Sequence, residues 1–329
     1  MENKINEIVT NAILVDNCNI TKSKIKDIIS NIKIAILNNK DAIRVANEID
    51  INNNNGFEFD YDVIDNIFNI IDKEDIYYGD VLLSQKDTKK KIIYGKQIMN
   101  IGTVALINEG NTYVLIEMIL RNIIANNKLI INTRGYMYGT NNLIIEIIRT
   151  VLENINISKN MVQIHISEEF DDILSNYANI DLVLCIGDHT LQKNILSKSR
   201  IPTIVSGYEN FDLYIEDSTN IDFISRILGT GLNINVYINR DTKLDYETAV
   251  IVEDIEEAIG YINYNGNSYS TSIFTSSSEN ASKFIREVKS SIVTVNTSPT
   301  IERICDIKER DLVREKTIIY PLEFEFENK

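Results

Sequence analysis

Tryptophan is absent, and the 329-residue chain holds only three prolines, two histidines and three cysteines. Cys18, Cys185 and Cys305 show no CxxC spacing, and an odd number argues against a disulfide framework. A reducing, cytoplasmic compartment is the expectation. His165 and His189, without clustered cysteines, are too few for a zinc site, so no metal is expected. No serine stands in a nucleophile elbow, so no Ser-His-Asp arrangement can be assembled. No apolar run approaches the roughly 20 residues needed to cross a bilayer. The first twenty residues carry Glu2, Lys4, Glu7 and Asp16 instead of the apolar core of a signal peptide. No membrane partner is expected. Positive charge is also scarce, with 33 Lys and Arg against 48 Asp and Glu and a net charge of -15. Such a surface repels phosphate backbones, so no nucleic acid is expected. The run Lys89, Lys90, Lys91 reads as a solvated turn or strand edge.

What is present is ordinary for a globular protein: 44% hydrophobic and 25% charged residues. The length suggests two domains. The region to about residue 50 reads as helical, with Ile25, Ile28, Ile29, Ile32, Ile36 and Leu37 at helical spacing. Asn52 to Gly56 is a polar break, and Val63 to Ile71 a second helical stretch. From residue 91 onward strands alternate with helices. The strands are 91–96, 102–107, 129–132, 162–166, 182–186, 203–206 and 212–215. The helices between them are 113–124, 141–154, 169–177 and 190–198. Such alternation predicts right-handed crossovers, a largely parallel sheet, and ligands at the carboxyl ends of its strands. A shorter α/β unit follows, with strands at 235–238, 249–252, 271–275 and 291–295. Asp254 is its candidate cap for a helix over 255–264, and a second helix covers 279–288. The tail 317–326 alternates like an extended edge strand.

Several stretches resemble the glutamate-5-semialdehyde dehydrogenase (gamma-glutamyl phosphate reductase) family of the aldehyde dehydrogenase superfamily. In Ala249 to Asn296 the family order is a strand, an acidic helix, a glycine turn, a strand, a helix and a strand ending in Val-Asn. Glu256-Glu257-Ala258-Ile259, Gly266, Phe284 to Val288 and Val295-Asn296 stand at matching places. Ile201-Pro202 through Asp217 is a second match. Gly102 to Asn111, Arg134-Gly135 and Ile186 to Ile195 follow family order over most of the chain after about residue 90. The resemblance implies an α/β, aldehyde-dehydrogenase-like fold. It divides the chain into a Rossmann-like cofactor domain (1–228 plus 299–329) and a reduced catalytic-type domain (229–298). It also implies NADP as cofactor, and a C-terminal strand that builds a homo-oligomer, since unpaired edges tend to find partners.

The family's chemistry needs a cysteine thiolate beside the nicotinamide. Here the nucleophile loop reads Leu228-Gly229-Thr230-Gly231-Leu232-Asn233-Ile234-Asn235, without cysteine, and several tens of residues after it appear deleted. The family glutamate falls on Val205, its Cys-His pair on Phe211-Asp212, and a loop lysine on His189. Cys185 ends a hydrophobic strand and is most simply a small buried apolar group. No catalytic residue is therefore assigned. Cofactor-binding candidates are Asn111, Arg134, Gly135, Gly187 and His189, with a structural turn as the competing reading for the glycines and a solvated loop for His189. The expected function is that of a non-catalytic relative acting as a binding, regulatory or structural protein, with a protein partner as one form of that role. The alternative is an active NADP-dependent enzyme reducing glutamyl 5-phosphate to glutamate 5-semialdehyde in proline biosynthesis.

Overall fold

A computed structural model describes residues 2–15, 20–54, 58–74, 81–133, 137–165, 170–207, 211–217, 221–229, 234–244, 246–265, 270–299 and 307–321. The chain forms two compact units. One comprises Met1–Cys185, Ile195–Ile204 and Ile307–Lys329; the other comprises Ile186–Asn194 and Val205–Asp306.

Four helices open the first unit: α1 (Glu2–Ile13), α2 (Lys22–Asn38), α3 (Lys40–Asn54) and α4 (Tyr61–Asp72). The long helical region expected from the sequence is thus three helices, and α3 runs through most of the expected break at Asn52 to Gly56. Helix α2 starts where the Thr21 side chain accepts a hydrogen bond from Lys24 N, and it buries Ile25, Ile28, Ile29, Ile32 and Ile36. That spacing is one face of a 3.6-residue helix, and each buried isoleucine contributes about 1.5–3 kcal/mol. Strands β1 (Val81–Asp87) and β2 (Ile92–Asn100) form an antiparallel hairpin, and β13 (Val313–Pro321) pairs with the far side of β2.

Next come β3 (Thr103–Asn108), α5 (Thr112–Ile124), β4 (Lys128–Thr133), α6 (Tyr138–Asn154), β5 (Val162–Ile164), α7 (Asp171–Ser175), β6 (Leu182–Ile186), α8 (His189–Lys198) and β7 (Thr203–Ser206). The five strands lie in the order β5-β4-β3-β6-β7, with β3, β4 and β5 paired in parallel. Every residue of β3 and β6 is buried, which is why these segments read as unbroken apolar runs.

The second unit holds β8 (Phe211–Ile215), α9 (Ile221–Leu228), β9 (Ile234–Asn239), β10 (Val250–Val252), α10 (Ile255–Asn265), β11 (Ser270–Phe274), α11 (Ser278–Glu287) and β12 (Ile292–Val295). Its sheet is parallel, in the order β10-β9-β8-β11-β12. Asp254 caps α10 through Glu257 N at 2.9 Å. Tyr214, Tyr237, Ile273 and Phe284 pack on one face of the sheet, and Leu213, Ile215, Val236, Ile238 and Phe274 on the other. This corrects the expected boundary at 228/229. β8 is the central strand of the second sheet, bonded to β9 and β11 on its two sides, so a cut after residue 228 would remove that sheet's middle.

Candidate functional site

In open α/β sheets ligands sit at the carboxyl ends of the strands and at the N-termini of the helices that follow. The turn after β3 belongs to Asn111. Its side-chain oxygen accepts hydrogen bonds from Tyr113 N (3.0 Å) and Val114 N (3.1 Å), capping α5, and its carbonyl accepts from Asn108 Nδ2. Gly110 has φ 116°, which only glycine adopts readily, and its carbonyl accepts from Asn141 Nδ2 at 3.0 Å. The candidate Asn111 is therefore engaged as a helix cap.

The turn after β4 contains Arg134 and Gly135, which lie outside the described residues. From Met137 the chain enters α6. Asp50, on α3 and 1% exposed, accepts from Gly139 N at 3.0 Å, Thr140 N at 2.8 Å and the Thr140 hydroxyl at 2.7 Å. A carboxylate of the protein thus occupies the position an anionic ligand would take at this helix N-terminus, with the favourable end of the helix dipole. Asn47, one turn before Asp50 on α3, holds the same face. It accepts from Phe59 N and donates to Met137 Sδ. A Cβ on Gly139 would lie 3.1 Å from Asp50 Oδ1, so the close approach depends on glycine.

In the second unit, Gly187 is buried. Its N donates to the Ser206 carbonyl at 3.1 Å, and its carbonyl accepts from Gln192 Nε2 at 2.9 Å. Asp188 Oδ1 accepts from Leu191 N at 2.7 Å, within the first turn of α8. His189 is the first residue of that helix. His165, at the end of β5, is buried with Nε2 3.9 Å from Asp172 Oδ2.

Cys185 is fully buried inside β6, with no surface for a substrate. Cys18 and Cys305 lie outside the described residues. Val205 is half-buried in β7. Asp212 is 1% exposed, near the amino end of β8, and accepts from Asn235 Nδ2 at 3.1 Å. Burial pushes its carboxyl up to about 6, with the Asn235 amide opposing the shift. A carboxylate so placed is a core acid at the end of the sheet opposite to where ligands bind. Tyr237 is likewise pushed up to about 12 by burial, with the Asp212 charge adding to the effect.

Strand order in the second sheet reverses between β8 and β11, the crevice where a ligand would be sought. Glu216 and Asp217 follow β8 there; Thr275 and Ser276 follow β11. The Thr275 hydroxyl and Asn280 Nδ2 both donate to the Glu216 carboxylate, and Ser276 N donates to Asp217 Oδ2 at 2.6 Å. These polar groups bond one another. Neither Asp50 nor Glu216 has a sequence signal of its own, since each acts on residues tens of positions away. No group of three or more His, Cys, Asp or Glu able to hold a metal occurs among the described residues.

No family model matches the chain. It is similar in structure to aldehyde dehydrogenases. One is the glyceraldehyde-3-phosphate dehydrogenase GapN from Methanocaldococcus jannaschii, complexed with NADP. The TM-score is 0.74 at 12% identity, over 97% of this chain and 94% of that one. The gamma-glutamyl phosphate reductase from Thermotoga maritima superposes with TM-score 0.69 at 16% identity, over 99% of both chains. The fold is that of the aldehyde dehydrogenases. In sequence the chain is similar to the gamma-glutamyl phosphate reductase of Petrotoga mobilis, 24% identical over 262 residues and 63% of each chain. The chain is thus related to the gamma-glutamyl phosphate reductases, matching less than two thirds of that relative's length.

Proposed function

We propose that this chain is a non-catalytic relative of gamma-glutamyl phosphate reductase, acting as a binding, regulatory or structural protein. The observation that carries this reading is the fate of the thiol. The family reaction needs a reactive cysteine at the nucleophile loop. The stretch from Leu228 to Asn235 has none, and Cys185 is sealed within β6. NADP stays the cofactor that the resemblance suggests, and one of the turns that could hold it is already filled. A pyrophosphate at the N-terminus of α6 would need the amides of Gly139 and Thr140, and both are taken by the Asp50 carboxylate. A second negative charge at this turn would be repelled.

The expected shortening after the nucleophile loop is part of this proposal, and the match is consistent with a shorter chain. The 262 aligned positions of the Petrotoga mobilis match take up only 63% of this 329-residue chain, so several tens of that relative's residues find no counterpart here. The proposed setting is the reducing cytoplasm, with a homo-oligomer built on β13 and neither nucleic acid nor membrane as partner. The exposed edge of β13 supports the oligomer. The net charge of -15 supports the exclusion of nucleic acid. No described helix is long and apolar enough to cross a membrane.

The relatives themselves favour a second reading, an active NADP-dependent reductase of glutamyl 5-phosphate. It would have to draw its thiol from Cys18 or Cys305. A steady-state assay of glutamate 5-semialdehyde oxidation with NADP and phosphate decides between them, using an active reductase as control. Absence of turnover is expected. Turnover abolished by Cys305→Ser or Cys18→Ser would establish the second reading.

A further inference from the structure

Arg121 lies in the last turn of α5 with no exposed surface, an uncommon place for a guanidinium. Its Nε and Nη2 donate to Glu117 Oε1 at 3.0 and 2.8 Å. Its Nη1 reaches Glu74 Oε1 at 2.7 Å and also pairs with Glu309. One buried cation therefore faces three carboxylates. Glu117 comes from α5, Glu74 from the turn after α4, and Glu309 from the 3-10 turn Glu309–Leu312. Only Glu309 belongs to the C-terminal segment.

Further anchors of that segment lie beside it. Ile307 and Leu312 are buried, and the Leu312 carbonyl accepts from Asn127 Nδ2 at 2.9 Å. Past Leu312 the chain leaves the core. None of the nine residues of β13 is buried, and among the described strands it pairs with β2 alone. A small antiparallel sheet that buries so little apolar surface is marginal by itself. β13 itself adds the ladder to β2 and the exposed Lys96–Glu315 pair, so its hold on the core runs through the turn that precedes it.

We propose that Arg121 is an ionic latch that fixes the C-terminal segment Ile307–Pro321 to α5. The two surplus carboxylates weaken this latch by repelling Glu309. A buried cation shared by three anions is strongly attached to each, and each anion also opposes the others. Removing the cation should release the segment, whereas neutralising a carboxylate on the helical side should tighten it.

Amide hydrogen exchange on the full chain tests this, comparing wild type with Arg121→Met, Glu309→Gln, Glu74→Gln and the double variant Arg121→Met/Glu309→Gln. Arg121→Met and Glu309→Gln should each speed exchange in Val313–Pro321 about tenfold or more, as loss of a charge-assisted hydrogen bond would. Exchange in β4 and β8 should not change. The double variant should be no faster than the faster single one, because both remove the same bond. Glu74→Gln should slow exchange in β13. The latch is overturned if β13 is unaffected in Glu309→Gln, a mild change that keeps the fold whatever Arg121→Met does. It is also overturned if the acceleration spreads equally through β4, or if the two substitutions add. Unchanged or faster exchange in Glu74→Gln would refute the surplus-charge part.

Discussion

Replacing Asp50 by alanine removes the acceptor of three hydrogen bonds at the start of α6, from Gly139 N, Thr140 N and the Thr140 hydroxyl. Loss of a helix N-cap costs about 1 kcal/mol, within a range of about 0.5–2. A carboxylate in a partly buried geometry at a helix N-terminus adds up to about 2 kcal/mol through the dipole. Two backbone donors left unsatisfied in a buried place cost about 1–3 kcal/mol each, offset in part because the variant no longer desolvates a charge. The expected loss is roughly 2–4 kcal/mol for Asp50→Ala. Asp50→Asn keeps one oxygen acceptor and gives up the charge, so it should lose about half as much. Urea unfolding followed by circular dichroism reads this as a lower midpoint at unchanged slope. If the two units unfold in separate steps, the shift belongs to the first unit alone. A change below about 0.5 kcal/mol for Asp50→Ala would mean that the carboxylate is not what satisfies this turn, and the argument against a bound phosphate would fail with it.

Further outcomes follow from other sites. Asp212 has its folded value raised from 3.8 to about 6 by burial. Its protonated form is therefore favoured by folding, and stability should fall as pH rises between about 4 and 6, by at most about 3 kcal/mol. Above that window Asp212→Asn should be more stable than wild type, and a flat wild-type profile would refute the assignment. At Gly102, φ is 132° and a Cβ would meet Asp181 Oδ2 at 2.2 Å, so Gly102→Ala should lose about 2 kcal/mol or more in thermal or urea unfolding. If the proposed loss of function extends to the cofactor, millimolar NADP or NADPH should leave the melting temperature unchanged, whereas a shift rising with nucleotide concentration would show binding. Deleting residues 317–329 should lower the particle mass seen by light scattering if β13 builds the oligomer; an unchanged mass would contradict that role.

Much of the architecture was legible in local pattern. The fully buried run Leu182–Ile186 reads as a central strand because both its faces are covered. Asp254 reads as a cap because it stands directly before an amphipathic stretch. The domain boundary was not legible, because Phe211–Ile215 continues the preceding alternation and nothing local shows that its partners are β9 and β11. The pair Glu117 and Arg121 looks like an exposed i, i+4 ion pair, yet both are buried, since Glu74 and Glu309 arrive from far away in sequence. At the candidate site the missing cysteine was plain from the sequence. The Asp50 carboxylate was not, because it caps a helix 90 residues downstream.

A single-turnover measurement tests the central claim most directly. Full-length protein at a concentration equal to that of NADP would be mixed with glutamate 5-semialdehyde and phosphate, and NADPH absorbance followed. If the chain is the non-catalytic relative proposed, no NADPH should form above the protein-free blank. Formation of even one equivalent of NADPH per chain would show that this fold still carries out the reaction of its relatives, and would contradict the account.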